Sequence, residues 1–150
     1  MCDYSLAALR TRLAAVGEEL VVYRFPTGSL GFTSPRELEI YRDEVTGWRS
    51  RFNPRQVPCA VCIPPGARLL LQGIPRRLRW RLGLKASEEV VFVQTQELEG
   101  RHRDGVRFWN NQEILLQHLA ESQRALVLSL SSCPESEEET ALEETALLTR

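Results

Sequence analysis

Five stretches dominate this chain: ELVVYRF (19–25), AVCI (60–63), ARLLLQGI (67–74), EEVVFVQ (88–94) and RALVLSL (124–130). Each is short and rich in Val, Leu, Ile or aromatic residues, and polar, Pro or Gly residues punctuate the chain between them. Apolar runs of this length, set between turn signals, read as strands rather than as helices, which need longer stretches of 3.6-residue periodicity. VRFW (106–109) and EILLQ (113–117) add two more, joined through Asn110 and Asn111, whose type tolerates the left-handed backbone of a tight turn. Helix 112–121 is the second reading of that last segment. FPTGSLGF, with Gly28 and Gly31, is hairpin material. Strands so closely spaced favour a small barrel over alternating βα units.

Two short helices are expected. Leu6, Leu9, Leu13 and Val16 recur at three- and four-residue spacing and Gly17 is a natural stop, which predicts a helix over 6–16. In SPREL, Ser34 can cap, Pro35 can occupy the first turn and Glu37 can complete a capping box, which predicts a helix from Pro35 to about Glu44. RRLRWRL (76–82) alternates, with Leu78, Trp80 and Leu82 on one side and Arg77, Arg79 and Arg81 on the other. That pattern predicts a half-buried strand with Trp80 in the core, a short helix being the competing reading. The expected fold class is mainly β: a small barrel-like or rolled antiparallel sheet with two short helices.

A chain of 150 residues suits one compact domain. Its composition divides the chain at about residue 132. Residues 133–150 hold six glutamates and one arginine, a net charge of -5, whereas residues 1–132 carry eighteen basic and fourteen acidic side chains, or +4. The expected organisation is a single mainly β domain over 1–132 and a flexible acidic tail over 133–150. No 18-residue apolar run is present, so no membrane partner is expected. The opening MCDYSLAALRTRL sets Asp3 early and interrupts its apolar residues with Arg10 and Arg12, unlike a secretory signal. A cytoplasmic protein is expected, with homo-oligomerisation left open.

The chemistry-bearing residues are few. There are four cysteines, Cys2, Cys59, Cys62 and Cys133, and two histidines, His102 and His118. In a cytosolic chain, reduced thiols or metal ligands are expected over a disulfide framework. His118, in LLQHL, reads as a partly buried packing residue. His102, in the polar loop GRHRDG, is the better ligand, because a neutral imidazole suits zinc or iron and Asp104 nearby can hold its other nitrogen. Cys2, Cys62 and His102 make a three-ligand transition-metal set, with zinc or iron as the expected cofactor. Asp3, Cys59 and Asp104 are additional ligands or supporting groups. Cys59 and Cys62 lie three apart, so a flat strand would aim them oppositely, and sharing one metal would need a turn between them.

Two other function classes compete. If Met1 is trimmed, Cys2 gains a free α-amine that can help activate its own thiol, so an N-terminal-cysteine thiol hydrolase using His102 and Asp104 is an alternative. Whether the protein is an enzyme is left uncertain. The stretch 76–85 holds Arg76, Arg77, Arg79, Arg81 and Lys85 with no acid, which suits a nucleic-acid or protein interaction module contacting a polyanion. Nucleic acid is not the favoured partner, because the strand reading buries Trp80 away from the arginines.

MCDYSL, RFPTGSLGF, AVCIPPG and HRDGVRF together resemble a group of small uncharacterised bacterial proteins, over most of residues 1–130. That resemblance implies interest in Cys2, Asp3, Cys62 and His102, and it carries no biochemical role. The stretch ELEIYRDEVTGWRSRF, Cys59 and the glutamate-rich tail depart from the pattern. The favoured function is transition-metal binding through the N-terminal cysteine and the loop histidine.

Overall fold

The computed structural model describes residues 9–46, 57–95 and 103–130, with side chains described outside 43–46. Among these described residues, nine strands form one sheet: β1 (Thr11–Leu13), β2 (Glu19–Arg24), β3 (Leu30–Thr33), β4 (Ala60–Cys62), β5 (Arg68–Gln72), β6 (Ser87–Gln94), β7 (Asp104–Phe108), β8 (Glu113–Leu115) and β9 (Arg124–Ser129). Their order across the sheet is β1-β4-β3-β2-β9-β5-β6-β7-β8. Every neighbouring pair is antiparallel except β1 with β4, which run parallel with Leu13 opposite Cys62. Two α-helices among the described residues accompany the sheet, α1 (Pro35–Thr46) and α2 (Arg76–Leu82). The expected β-rich, rolled antiparallel fold with two short helices is the fold observed.

The roll follows from the period-two pattern of the strands. Leu20 and Val22, Leu69 and Leu71, Val90 and Phe92, Val106 and Phe108, and Ala125 and Val127 all point to the concave side and are almost fully buried. With Phe32, Val61, Leu84 and Leu119 they make one continuous core. A smaller apolar cluster, Phe25 and Ala60 with Leu9, Tyr23 and Val57, forms a separate group. There Tyr23 and Phe25 meet edge to face, with ring centroids 5.1 Å apart.

The two ends of the sheet approach each other through a 3₁₀ turn at Leu116–His118, directly after β8. Gln117 in that turn treats β3 as a strand partner. Its Oε1 accepts the Leu30 N–H at 2.9 Å, and its Nε2 donates to the Leu30 carbonyl at 2.9 Å. Leu30 faces Arg24 of β2 on its other side. A side-chain amide therefore satisfies backbone groups that no strand reaches, as buried polar groups require. His118 is exposed in this turn, not packed as its apolar neighbours suggested, because Leu116 and Leu119 take the inward positions.

Two expectations need correction, the helix in the N-terminal stretch and the strand in the basic stretch. Thr11–Leu13 is an edge strand, not part of a helix over 6–16; Leu13 and Val16 are 71% and 63% exposed. Parallel pairing with β4, a partner about fifty residues away, overrides the local helical spacing. Arg76–Leu82 is a helix, not a strand. Leu78 and Leu82 are four apart and pack on the core from one helical face, so the alternation in RRLRWRL also fits a helix turn. Gly83 ends it at φ 67°, and the Leu84 N–H returns to the Arg79 carbonyl at 2.9 Å. Trp80 consequently faces solvent, 95% exposed, rather than the core. α1 starts where SPREL predicts, with the Glu37 N–H donating to Ser34 Oγ at 3.2 Å.

Candidate functional site

Two of the residues singled out by chemistry, Cys62 and Asp104, meet at one place. Cys62 ends β4 and Asp104 opens β7, strands that are not neighbours in the sheet. Both line a cavity of about 10 Å³, enclosed by Gly31, Phe32, Phe92 and Leu116. That volume is room for about one water-sized atom. Rolling the sheet brings β4 and β7 together, and Leu116 of the 3₁₀ turn completes the wall between them.

Asp104 is 6% exposed, an uncommon setting for a carboxylate unless it is paired. Gln94 Nε2 donates to its Oδ1 at 3.1 Å from the facing position of β6. The β6–β7 connection is drawn together just beyond this pair, where the Thr95 N–H donates to the Arg103 carbonyl at 2.8 Å. His102, the residue before Arg103, lies outside the described residues, as do Cys2 and Asp3.

Gly105 sets how closely β8 backs onto this site. A Cβ built there would lie 2.7 Å from the Ile114 carbonyl oxygen and 3.5 Å from Leu115 Cα. Only glycine lets the β8 backbone approach so near the strand that carries Asp104.

The two described cysteines behave differently. Cys62 is 8% exposed and its sulfur is disulfide-bonded. Cys59 is free. The expectation of reduced thiols therefore holds for Cys59 and not for Cys62. Cys59 is also 8% exposed, and burial, with the nearby Glu37 carboxylate, pushes its thiol pKa up. A thiol held neutral in this way is a poor ligand and a poor nucleophile. Its carbonyl accepts from Thr33 Oγ1 at 2.8 Å, and its side chain does not line the cavity that Cys62 lines. The odd spacing of the two cysteines thus separates them, as strand geometry requires.

Among the described residues, no three His, Cys, Asp or Glu side chains form a metal-sized group. Cys62 and Asp104 are the two candidate ligands that the described part of the fold unites. Sequence reasoning did not find Gln117 or Gly105; an apolar context hides the first, and the contact that fixes the second is made by backbone.

The basic stretch forms a separate surface. Arg76, Arg77, Trp80 and Arg81 are exposed on α2, Arg79 is half-buried, and Lys85 is exposed just beyond Gly83. A further open depression lies between β1 and α1, where Arg12 and Glu18 form an ion pair and Ala15 donates its N–H to Glu18. No helix among the described residues is long and apolar enough to cross a membrane. No protein family, curated protein or solved structure matches the chain.

Proposed function

We propose that the protein binds one transition-metal ion beside Cys62, with the Cys62 thiolate, the Cys2 thiolate and the His102 imidazole as ligands. The observation that carries this reading is the cavity itself. One atom-sized space is lined by the buried Cys62 sulfur and by the buried Asp104 carboxylate. A Cys62 sulfur held in a disulfide must be reduced before it can ligate an ion. A dithiol reductant supplies two electrons and two protons, converting the disulfide to two thiols. A divalent ion then displaces the thiol protons and takes the thiolates as ligands. Zinc and iron both accept this thiolate and imidazole set. Asp104, two residues after His102, supplies either an acceptor for the second imidazole nitrogen or a fourth ligand.

Metal analysis of reduced protein without an N-terminal tag tests this reading. Wild type is expected to retain zinc or iron in stoichiometric amount after exchange into metal-free buffer. Cys62→Ala and His102→Ala are expected to lose it, and Asp104→Asn to bind about 10–100-fold more weakly. Reduced wild type that takes up neither metal, or a Cys62→Ala variant that binds as wild type does, overturns the proposal.

A further inference from the structure

The exposed face of α2 is built differently from an ordinary solvated helix. Arg76, Arg77, Trp80 and Arg81 fall at i, i+1, i+4 and i+5, which places them on one side of the helix. The opposite side, Leu78 and Leu82, packs on the core. An indole 95% exposed to water in the middle of three exposed guanidinium groups is an unusual thing for a folded surface to hold. Among the described residues, no acid pairs with these charges. The ion pairs among the described residues join Arg12 to Glu18, Arg24 to Glu121, Arg68 to Glu89 and Arg107 to Glu113, and none involves α2. Arg79 Nε is buried with no hydrogen-bond partner. A second exposed indole, Trp109, lies 71% open on the β7–β8 turn. That turn is fastened to the end of α2, because Asn110 Nδ2 donates to the Leu82 carbonyl at 3.0 Å.

We propose that α2 and the neighbouring β7–β8 turn form a binding surface for single-stranded nucleic acid. Arg76, Arg77 and Arg81 contact phosphates, and Trp80 stacks on a base. Charge and aromatic surface together select this partner. An anionic bilayer would use an apolar face of the helix, but Leu78 and Leu82 are turned inward. The acidic segment 133–150 complements the arginines, yet it has no aromatic residue to cover the indole. A single strand offers both phosphates and unpaired base faces, and duplex DNA keeps those faces stacked within. The surface is separate from the Cys62 cavity, so the proposal does not depend on the metal reading.

The test uses the full chain and labelled oligothymidylate and oligouridylate of about 15 nucleotides, followed by anisotropy and by tryptophan fluorescence. Binding is expected at low salt, with the association constant falling log-linearly as salt rises. The double variant R76E/R77E is expected to abolish binding. Trp80→Ala, at a fully exposed position where folding is not at stake, is expected to weaken it about 5–150-fold. Wild type that binds neither oligonucleotide at low salt, as it would with the acidic segment occupying the face, overturns the proposal. So does unchanged affinity in Trp80→Ala. Tryptophan quenching by phosphatidylserine vesicles but by neither oligonucleotide overturns it in favour of a lipid surface.

Discussion

Replacing Gly105 by alanine is the sharpest test of how the site is held. The added Cβ would start 2.7 Å from the Ile114 carbonyl oxygen, where ordinary contact begins at 3.4 Å. β7 and β8 must therefore separate by about 0.7 Å at this point, the difference between those two distances. The atoms in the way are backbone, so no side-chain rotation relieves the clash. Overpacking of this kind costs about 1–3 kcal/mol. The stiffer unfolded chain of an alanine variant returns about 0.4–1 kcal/mol. The expected net loss is about 1–2 kcal/mol. It reads out as a urea midpoint lower by about 0.5–1 M at unchanged slope, or a Tm lower by about 2–8 °C. Amide exchange should speed up first at Gly105 and Leu115, which pair across the two strands. A midpoint equal to or above that of wild type would refute the argument, because it would mean that β8 does not press on β7 as described.

Two further outcomes follow from charge and burial. The Arg12 guanidinium, helped by the Ala15 N–H, holds the Glu18 carboxyl below the usual carboxylate range. A depressed folded pKa gives stability that is present above the unfolded value of about 4.3 and is lost as pH falls through the folded value. Glu18→Gln should thus be less stable than wild type near pH 7 by up to about 1 kcal/mol, with the gap closing in denaturation series below pH 4; a gap independent of pH would contradict the pairing. Because burial raises the Cys59 pKa, its thiol should react with a disulfide reagent far more slowly in native than in unfolded protein. The same shift predicts stability falling as pH rises above about 8.5, a trend that Cys59→Ala should reduce, measured by urea midpoints.

The strands were the legible part of the fold. Leu20 and Val22, or Val90 and Phe92, alternate because a half-buried strand demands it, and that demand is local. The misread elements are those in which two periods coincide. Leu78, Trp80 and Leu82 alternate like a strand, while Leu78 and Leu82 alone satisfy a helix; Gly83, a C-terminal stop signal, favours the helix. Leu9, Leu13 and Val16 keep helical spacing, yet Thr11–Leu13 is recruited by β4 across a long stretch of chain. For the site, residue chemistry pointed to Cys62 and Asp104 before any geometry was known. What chemistry could not supply was their meeting, which depends on the roll of the whole sheet and on Leu116 closing the wall. The exposure of Trp80 was hidden for the same reason as the helix that carries it.

Among the described residues the sheet ends at β1 and β8, and both of these outer strands are three residues long. A passing chain that tried to extend the ladder would find only a few amides and carbonyls to grip. Gln117 shortens the offer further by consuming the Leu30 groups within the molecule itself. Short margins of this kind discourage edge-to-edge pairing, so a roll that stops short of closure offers a neighbouring copy little ladder to extend.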